Sequence, residues 1–487
     1  MACSTRLPAI LLPVLLWPLV AHPALTAADA VDTYVASQMT AQHIPALAFA
    51  VVRDGAIVRA EARGLANVEL NAPATGLTEF AIASMSKPVT ASAIMLLAQD
   101  GQLSIDDAVR KYLPDIPDSW NPMTIRDLLA HTAGVKDHFS DSPIYPKLTT
   151  LDRHLVYTTD AYVQAHVDAP LNFAPGTDFS YSGGGYVMLG AIIAKVTGRP
   201  YGEFLRDRIF RPLRMTHSHV ISTTDIIANR AAGYWFRDGA LRNGEPTGPA
   251  HTAGADVGVM TTAADLAAWL IAVDAGPLWT PASRDAMWTA ATLRDGRDVV
   301  TFPGGNSYGL GWRVTTYRGF RLVGHGGTFS TGFTSAFFML PEKKFGVIVL
   351  TNQYDANPQA IALGIAARSG GSDLTPPSEM RAQADGDPAA TARAQAFMEA
   401  LFRGGDVAAL ATPGLARHLS AMWHPPAAPG PAPPLTFIAR EAVSRPLQRF
   451  GAAVTTFAYY KLRDDGEDHW ITFLVTADGR FAGYEAY

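Results

Sequence analysis

The chain has 487 residues, 48% of them hydrophobic and 17% charged, with a formal net charge of −5 and no basic block anywhere along it. That length exceeds one ordinary domain, and that charge argues against nucleic acid or an anionic membrane surface as partner. The single cysteine, Cys3, stands in the first few residues, so disulfides and cysteine catalysis are not expected.

Taken in order, Arg6, the apolar stretch Leu7 to Val20 and the small residues Thr26-Ala27-Ala28 predict a secretory signal peptide over residues 1–28. The mature protein is then expected to be exported, periplasmic or secreted. No later segment is apolar and long enough to predict a membrane span. VDTYVASQMTAQH reads as an amphipathic helix. PALAFAVVRDG and AIVRAEARGLAN read as two strands joined at Asp54-Gly55, a hairpin signal. FAIASMSKPVTASAIMLLAQDG, residues 80–101, opens a long apolar helix that Gly101 closes. From about Asp106 to Val300 the pattern is mostly helical, broken by Pro/Gly turns. YGLGWRVTTYR, FRLVGHGG, GFTSAFFMLPE and KFGVIVLTN then return to short strands in antiparallel succession. Strands at both ends with helices between predict one sheet closed by its two termini around a helical insertion. Residues 369–390 turn polar and Pro-rich, a linker. Beyond it ATARAQAFMEALFRGG reads as a helix and HPPAAPGPAPP as a stiff connector. AAVTTFAYYKLR, HWITFLVTADG and RFAGYEAY read as strands with turns at Asp465-Gly466 and Asp478-Gly479, making residues 391–487 a small α+β domain after a main domain of 29–368.

The chemistry begins at Ser84 and Lys87. Only eight residues are lysine, and this one precedes a long apolar run. Positions i and i+3 of a helix share a face, so the hydroxyl and the amine can meet. Serine attacks only when a base takes its proton. An amine serves as that base when neutral, a form that apolar surroundings such as Ile82, Met85, Val89 and Ile94 favour. The same spacing also suits a plain helix cap beside a solvated lysine. In APGTDFSYSGGGYVMLGAIIAKVTG, Tyr181 ends a loop and can relay a proton or simply pack under the turn. In RLVGHGGTFSTGF, His325-Gly326-Gly327 ends a strand, where glycines admit a close approach and the Thr328 N–H can hold an oxyanion; a bare hairpin-end histidine reads the same way.

Ser84-Met85-Ser86-Lys87, Tyr181-Ser182-Gly183 and His325-Gly326-Gly327, in that order, resemble the serine β-lactamase and penicillin-binding-protein superfamily. TIRDLLAHTAG, PGTDFSYS, VGVMTTAADLAAW and YGLGWRV are similar too, and the likeness is to its class C β-lactamase, D-aminopeptidase and esterase branch over roughly residues 30–365. The resemblance implies an α/β (α+β) fold: a five-stranded antiparallel sheet flanked by helices, with a helical insertion and the site between. It implies Ser84 as the acylated nucleophile, Lys87 and Tyr181 sharing proton transfer, the Ser84 and Thr328 N–H groups as the oxyanion hole, and His325 and Gly327 against the substrate. The family's second motif usually ends in Asn, which contacts the acyl amide of peptides and β-lactams; here Gly183 stands there. That departure favours esters or small amides.

Gly305-Asn306-Ser307-Tyr308-Gly309 matches G-x-S-x-G, but a Pro-Gly-Gly turn precedes it and a strand follows, the wrong context for a nucleophile elbow. His217 with His219, and His131 with His138, do not form a metal-ligand pattern; His131 is read as closing the helix of LLAHTAG. The expectation is thus an exported serine hydrolase, free of metal and cofactor, acting on a small-molecule or peptide substrate. The rival readings are a β-lactamase or D-amino-acid peptidase on cell-wall-like substrates, and a non-catalytic penicillin-binding or sensor protein.

Overall fold

A computed structural model describes residues 29–137, 159–247, 254–301, 306–422, 430–464 and 467–486. The signal-peptide segment, His138, Gly305, most of the Pro-rich connector and the Asp465-Gly466 turn lie outside the described residues.

Helix α1 (Ala30–Ala41) starts at an Asp29 cap whose carboxylate accepts the Asp32 N–H. It leads into the hairpin β1 (Ala46–Arg53) and β2 (Ala56–Asn67). Asp54 and Gly55 both take positive φ, 51° and 75°, the two-residue turn that the right-handed strand twist favours. The sheet continues through β3 (Ala72–Pro73) and, much later in the chain, β4 (Ser307–Tyr308), β5 (Arg313–Tyr317), β6 (Phe320–Phe329), β7 (Phe333–Leu340) and β8 (Phe345–Thr351). The order across the sheet is β3-β2-β1-β8-β7-β6-β5-β4, all pairs antiparallel. The N- and C-terminal strands of the domain, β1 and β8, therefore close the sheet on each other as expected. Eight strands stand where the family resemblance implied five. The tight turn at Arg318 (φ 52°) and Gly319 (φ 76°) folds β5 back onto β6, and β3 and β4 are two-residue additions at the edges.

The central strands are covered on both faces, which is why ALAFAVV in β1 is a continuous apolar run instead of an alternating one. On one face Val35 of α1 and Ile361 and Ile365 of the helix Pro358–Gly370 pack against Phe49, Val51, Val347 and Val349. The other face carries the insertion. Its central helix, α2 (Ser86–Gln99), is buried from Ser86 through Leu97, as befits a helix apolar all round; Gly101, at φ 70°, ends it. Around it stand α3 (Ile125–Leu129), α4 (Gly183–Thr197) and α5 (Ala263–Ala275). A small three-stranded sheet, Phe80–Ala81 beside Val259–Thr261 beside His219–Val220, ties the chain entering α2 to the insertion.

The segment read as a linker is fastened down: Leu374 is fully buried and its carbonyl accepts the Tyr317 hydroxyl at 3.0 Å. The C-terminal module has two helices, α6 (Pro388–Arg403) and α7 (Pro413–Met422), and a four-stranded antiparallel sheet, β9 (Leu435–Arg449), β10 (Ala452–Asp464), β11 (Glu467–Val475) and β12 (Phe481–Ala486), in that order. Only three of those strands and one helix were predicted. β9 escapes the pattern because its register breaks between Ala442 and Leu447. The module meets the β5–β6 turn through Arg318, which pairs with Glu441 at 3.0 Å and covers the Tyr459 ring.

Candidate active site

Ser84 does not open the α-helix itself. It sits in a 3-10 turn, Ala83–Met85, directly before α2. Ala83 takes φ 51°, a left-handed conformation that costs a non-glycine residue about 1 kcal/mol. Three bonds hold the turn: Ile82 N–H to the Val259 carbonyl at 3.0 Å, Ser335 Oγ to the Ile82 carbonyl at 2.8 Å, and Val259 N–H to Ser86 Oγ at 3.0 Å. Strand β6 lies against it. A Cβ on Gly327 would fall 2.4 Å from the Ile82 oxygen, so only glycine lets strand and turn approach this closely. The same glycine also lines the cleft, so the close approach places the backbone that carries the serine beside it.

Lys87, one turn into the helix system, is 1% exposed. Its Nζ lies 3.3 Å from Ser84 Oγ and 3.1 Å from the Asp256 carbonyl. It also stands 4.8 Å from the centre of the Tyr181 ring and 5.7 Å from that of Tyr186. Tyr181 is delivered by the loop that ends at Ser182, the cap of α4, whose hydroxyl accepts the Gly185 N–H at 3.2 Å. Gly183, first residue of that helix, uses its N–H on Asp137 at 2.9 Å and has no side chain to offer the cleft.

Ser84, Tyr181, Gly327 and Thr328 line one cleft of about 550 Å³, together with Arg313 and the chain from Asp355 to Gln359. One flank of the cleft is the end of the β5–β6 ladder: among the described residues β5 pairs with β6 only as far as Arg313 opposite Gly324. All six residues expected at the site are thus brought into one neighbourhood, but His325 is 3% exposed and lies beneath the strand. Its Nε2 is 3.0 Å from the Tyr308 hydroxyl and its Nδ1 2.6 Å from the Gly326 carbonyl. Tyr308 also lies 3.3 Å from His131 Nε2, and His131 Nδ1 accepts the Ser182 N–H at 3.0 Å. Neutral tautomers satisfy the whole row: His131 donates to Tyr308, Tyr308 to His325, and His325 to Gly326. Burial holds both imidazoles well below the usual 6.5; the field of Lys87 adds to this at His131, and that of Arg313 at His325. Burial likewise raises the Tyr308 and Tyr186 hydroxyls well above 10.

Sequence reasoning missed His131 and Tyr308 as parts of this site. His131 does end α3, at φ 60°, as expected, but its ring turns inward against Tyr181, 4.3 Å between centres. Their presence in LLAHTAG and YGLGWRV was the available signal. Ser307 is buried in the short strand β4, with no helix following. Among the described residues no group of three His, Cys, Asp or Glu side chains is arranged to hold a metal ion.

A β-lactamase family model matches residues 31–372. The chain belongs to the β-lactamase family. Within that family's reach, the chain is 28% identical over 332 residues to Protein flp of Staphylococcus aureus (strain NCTC 8325 / PS 47), covering 66% of this chain and 62% of that one. It is 29% identical over 342 residues to the unguisins hydrolase ungD′ of Aspergillus campestris, covering 66% and 61%. The chain thus spans about three fifths of the length of these curated relatives. In fold it is similar to an octameric penicillin-binding protein homologue from Pyrococcus abyssi, with TM-score 0.60, 23% identity, and 92% and 96% of the two chains covered. A penicillin-binding protein from Bacillus halodurans gives TM-score 0.58 at 22% identity, over 71% and 99%. The β-lactamase-family match ends near Gly370, where the last helix of the main domain ends, and leaves the C-terminal module outside it.

Proposed function

We propose that this β-lactamase-family chain is an exported serine hydrolase that cleaves an ester or small amide through an acyl-enzyme on Ser84. The observation that carries the reading is the fully buried Lys87 amine, 3.3 Å from Ser84 Oγ. The amine, which also gives an N–H to the Asp256 carbonyl, stands where it can take the proton as Oγ attacks the substrate carbonyl. The developing oxyanion rests on the N–H groups of Ser84 and Thr328. Tyr181, beside Lys87, relays that proton to the leaving group, and in deacylation the same pair takes the attacking water's proton and returns it to Ser84 Oγ as the acyl bond breaks. Gly183 supplies no amide to hold a peptide or β-lactam acyl group, which is why esters and small amides are preferred over cell-wall-like substrates. A relative named as a hydrolase supports the reaction class. Export rests on Arg6, the apolar run Leu7 to Val20 and Thr26-Ala27-Ala28.

The test is intact mass after exposure to a fluorophosphonate, on wild type, Ser84→Ala and Ser307→Ala. The expected result is one adduct, lost only in Ser84→Ala. An adduct that survives there and disappears in Ser307→Ala, or no adduct in any sample, overturns the proposal.

A further inference from the structure

We propose that Glu79 is a positioning residue for Ser84: a proton held between its carboxyl and the imidazoles of His217 and His219 fastens the strand that delivers the serine, and loss of that proton loosens it. This rests on the serine-hydrolase reading. Glu79 directly precedes Phe80–Ala81 and is 5% exposed. Its backbone is fixed: the N–H reaches the Asn229 carbonyl at 3.1 Å, and its own carbonyl accepts the Ala231 N–H at 3.0 Å. Its side chain meets the chain at the far edge of the small sheet, with Oε1 3.5 Å from His217 Nδ1 and Oε2 3.2 Å from His219 Nδ1. Across that sheet His219, Met260 and Ala81 stand in one row. Val259, next to Met260, holds Ile82 with its carbonyl and Ser86 with its N–H, on either side of the serine. The carboxyl and the serine thus share one short run of backbone and one supporting strand.

The other charged groups around Glu79 are engaged or exposed. Asp265 accepts the His217 N–H at 2.8 Å and the Ser218 hydroxyl at 2.9 Å. Arg230 is exposed and gives its guanidinium to the Ser222 carbonyl at 3.1 Å, and Asp225, also exposed, acts on His219. Among the described residues Glu79 Oε2 and His219 Nε2 are buried without a hydrogen-bond partner, so an ionised Glu79 is poorly compensated. Burial pushes the Glu79 carboxyl up to about 7, with His217 opposing the rise, Asp265 adding to it and Arg230 opposing it. Burial also holds His219 below 6.5, so no charge appears there to offset the carboxylate near neutrality. A carboxyl raised in this way contributes fully at low pH, and the contribution is lost as pH rises through about 7. The bare carboxylate then stands against Asp265, and the end of the sheet that carries Ser84 slackens.

Glutamine imitates the protonated acid at every pH, so the experiment compares wild type with Glu79→Gln. The readout is the rate of fluorophosphonate labelling of Ser84, followed by intact mass from about pH 6 to about pH 8.5. The ratio of the two rates, wild type over variant, cancels the titration of groups in the cleft. It is expected to be about one at the acid end and to fall about threefold or more by the alkaline end. In His217→Gln, which keeps the carboxyl and loses the group that opposes its rise, the fall should move to higher pH. A level ratio across the range overturns the proposal, as does a fall that stays in place in His217→Gln. If wild type takes no label at any pH, the serine-hydrolase reading fails separately. Amide exchange of residues 80–90, wild type against Glu79→Gln at each pH, then decides the positioning role. Protection lost with rising pH in wild type alone sustains it, and equal protection overturns it.

Discussion

The contact between Gly327 and the serine turn can be tested with one methyl group. In Gly327→Ala the new Cβ would stand 2.4 Å from the Ile82 oxygen, 2.7 Å from Ser335 Oγ and 3.0 Å from the Ala83 Cβ. Ordinary contact begins near 3.4 Å, so strand and turn must part by roughly 1 Å, and the closest atom is backbone that no rotamer change can move. Overpacking of this kind costs about 1–3 kcal/mol. A shift of about 1 Å between nucleophile and oxyanion donor costs on the order of 100-fold in rate. The neighbouring glycine is the control, because a Cβ on Gly326 meets only the Ser335 oxygen, at 3.6 Å. Gly326→Ala is therefore expected to be neutral or slightly stabilising, as replacement of a strand glycine often is. Urea unfolding of both variants gives the stability contrast, and the rate of fluorophosphonate labelling of Gly327→Ala gives the functional one. Equal stability of the two variants, with Gly327→Ala labelled at the wild-type rate, would refute the claim that this close approach builds the site.

Three further outcomes are expected. Lys87→Ala should slow Ser84 labelling by about 100-fold or more, measured by mass against time; labelling at the wild-type rate would remove Lys87 as the base. Tyr308→Phe leaves a donor on His131 and an acceptor on His325 buried without their partner, and should cost about 2 kcal/mol or more in urea unfolding. Because the folded state holds His325 well below 6.5, the unfolded chain takes up a proton there that the folded chain refuses, and stability is lost as pH falls through that range. The loss is about 1.4 kcal/mol between roughly pH 7.5 and 5.5, read as wild type minus His325→Asn. Taking the difference removes the opposite trend from Glu79, whose carboxyl burial pushes up to about 7.

Much of this architecture is legible in residue pattern. Asp54-Gly55, Gly101 and the run ALAFAVV each carry a local reason, and local reasons are what a sequence displays. The three motifs announced their meeting through spacing and order, because the nucleophile and its base are three positions apart on one turn. What stayed hidden depends on partners distant in the chain. His131 reads as a helix end, and it is one; only the fold brings its ring to Tyr308, 177 residues later. Arg313 reads as one charge in GWRVTTYR until β5 is seen to stop beside the cleft. β9 stayed invisible because its proline and charges look like loop until a neighbouring strand takes up the broken register.

The stretch of β6 that β5 does not cover carries a consequence for how this molecule behaves in company. A strand edge with free backbone groups recruits any extended chain, and aggregation begins at such edges. Here the stretch beyond β5 is short, with the β5–β6 ladder ending at Arg313 opposite Gly324 and the chain turning at Gly332. A stretch that short accommodates a small extended molecule but gives another protein's strand too little to grip. The same boundary that admits a substrate thus keeps copies of the chain from joining sheet to sheet. Extending the opening, by displacing β5, should make the protein stick to itself before it loses its fold.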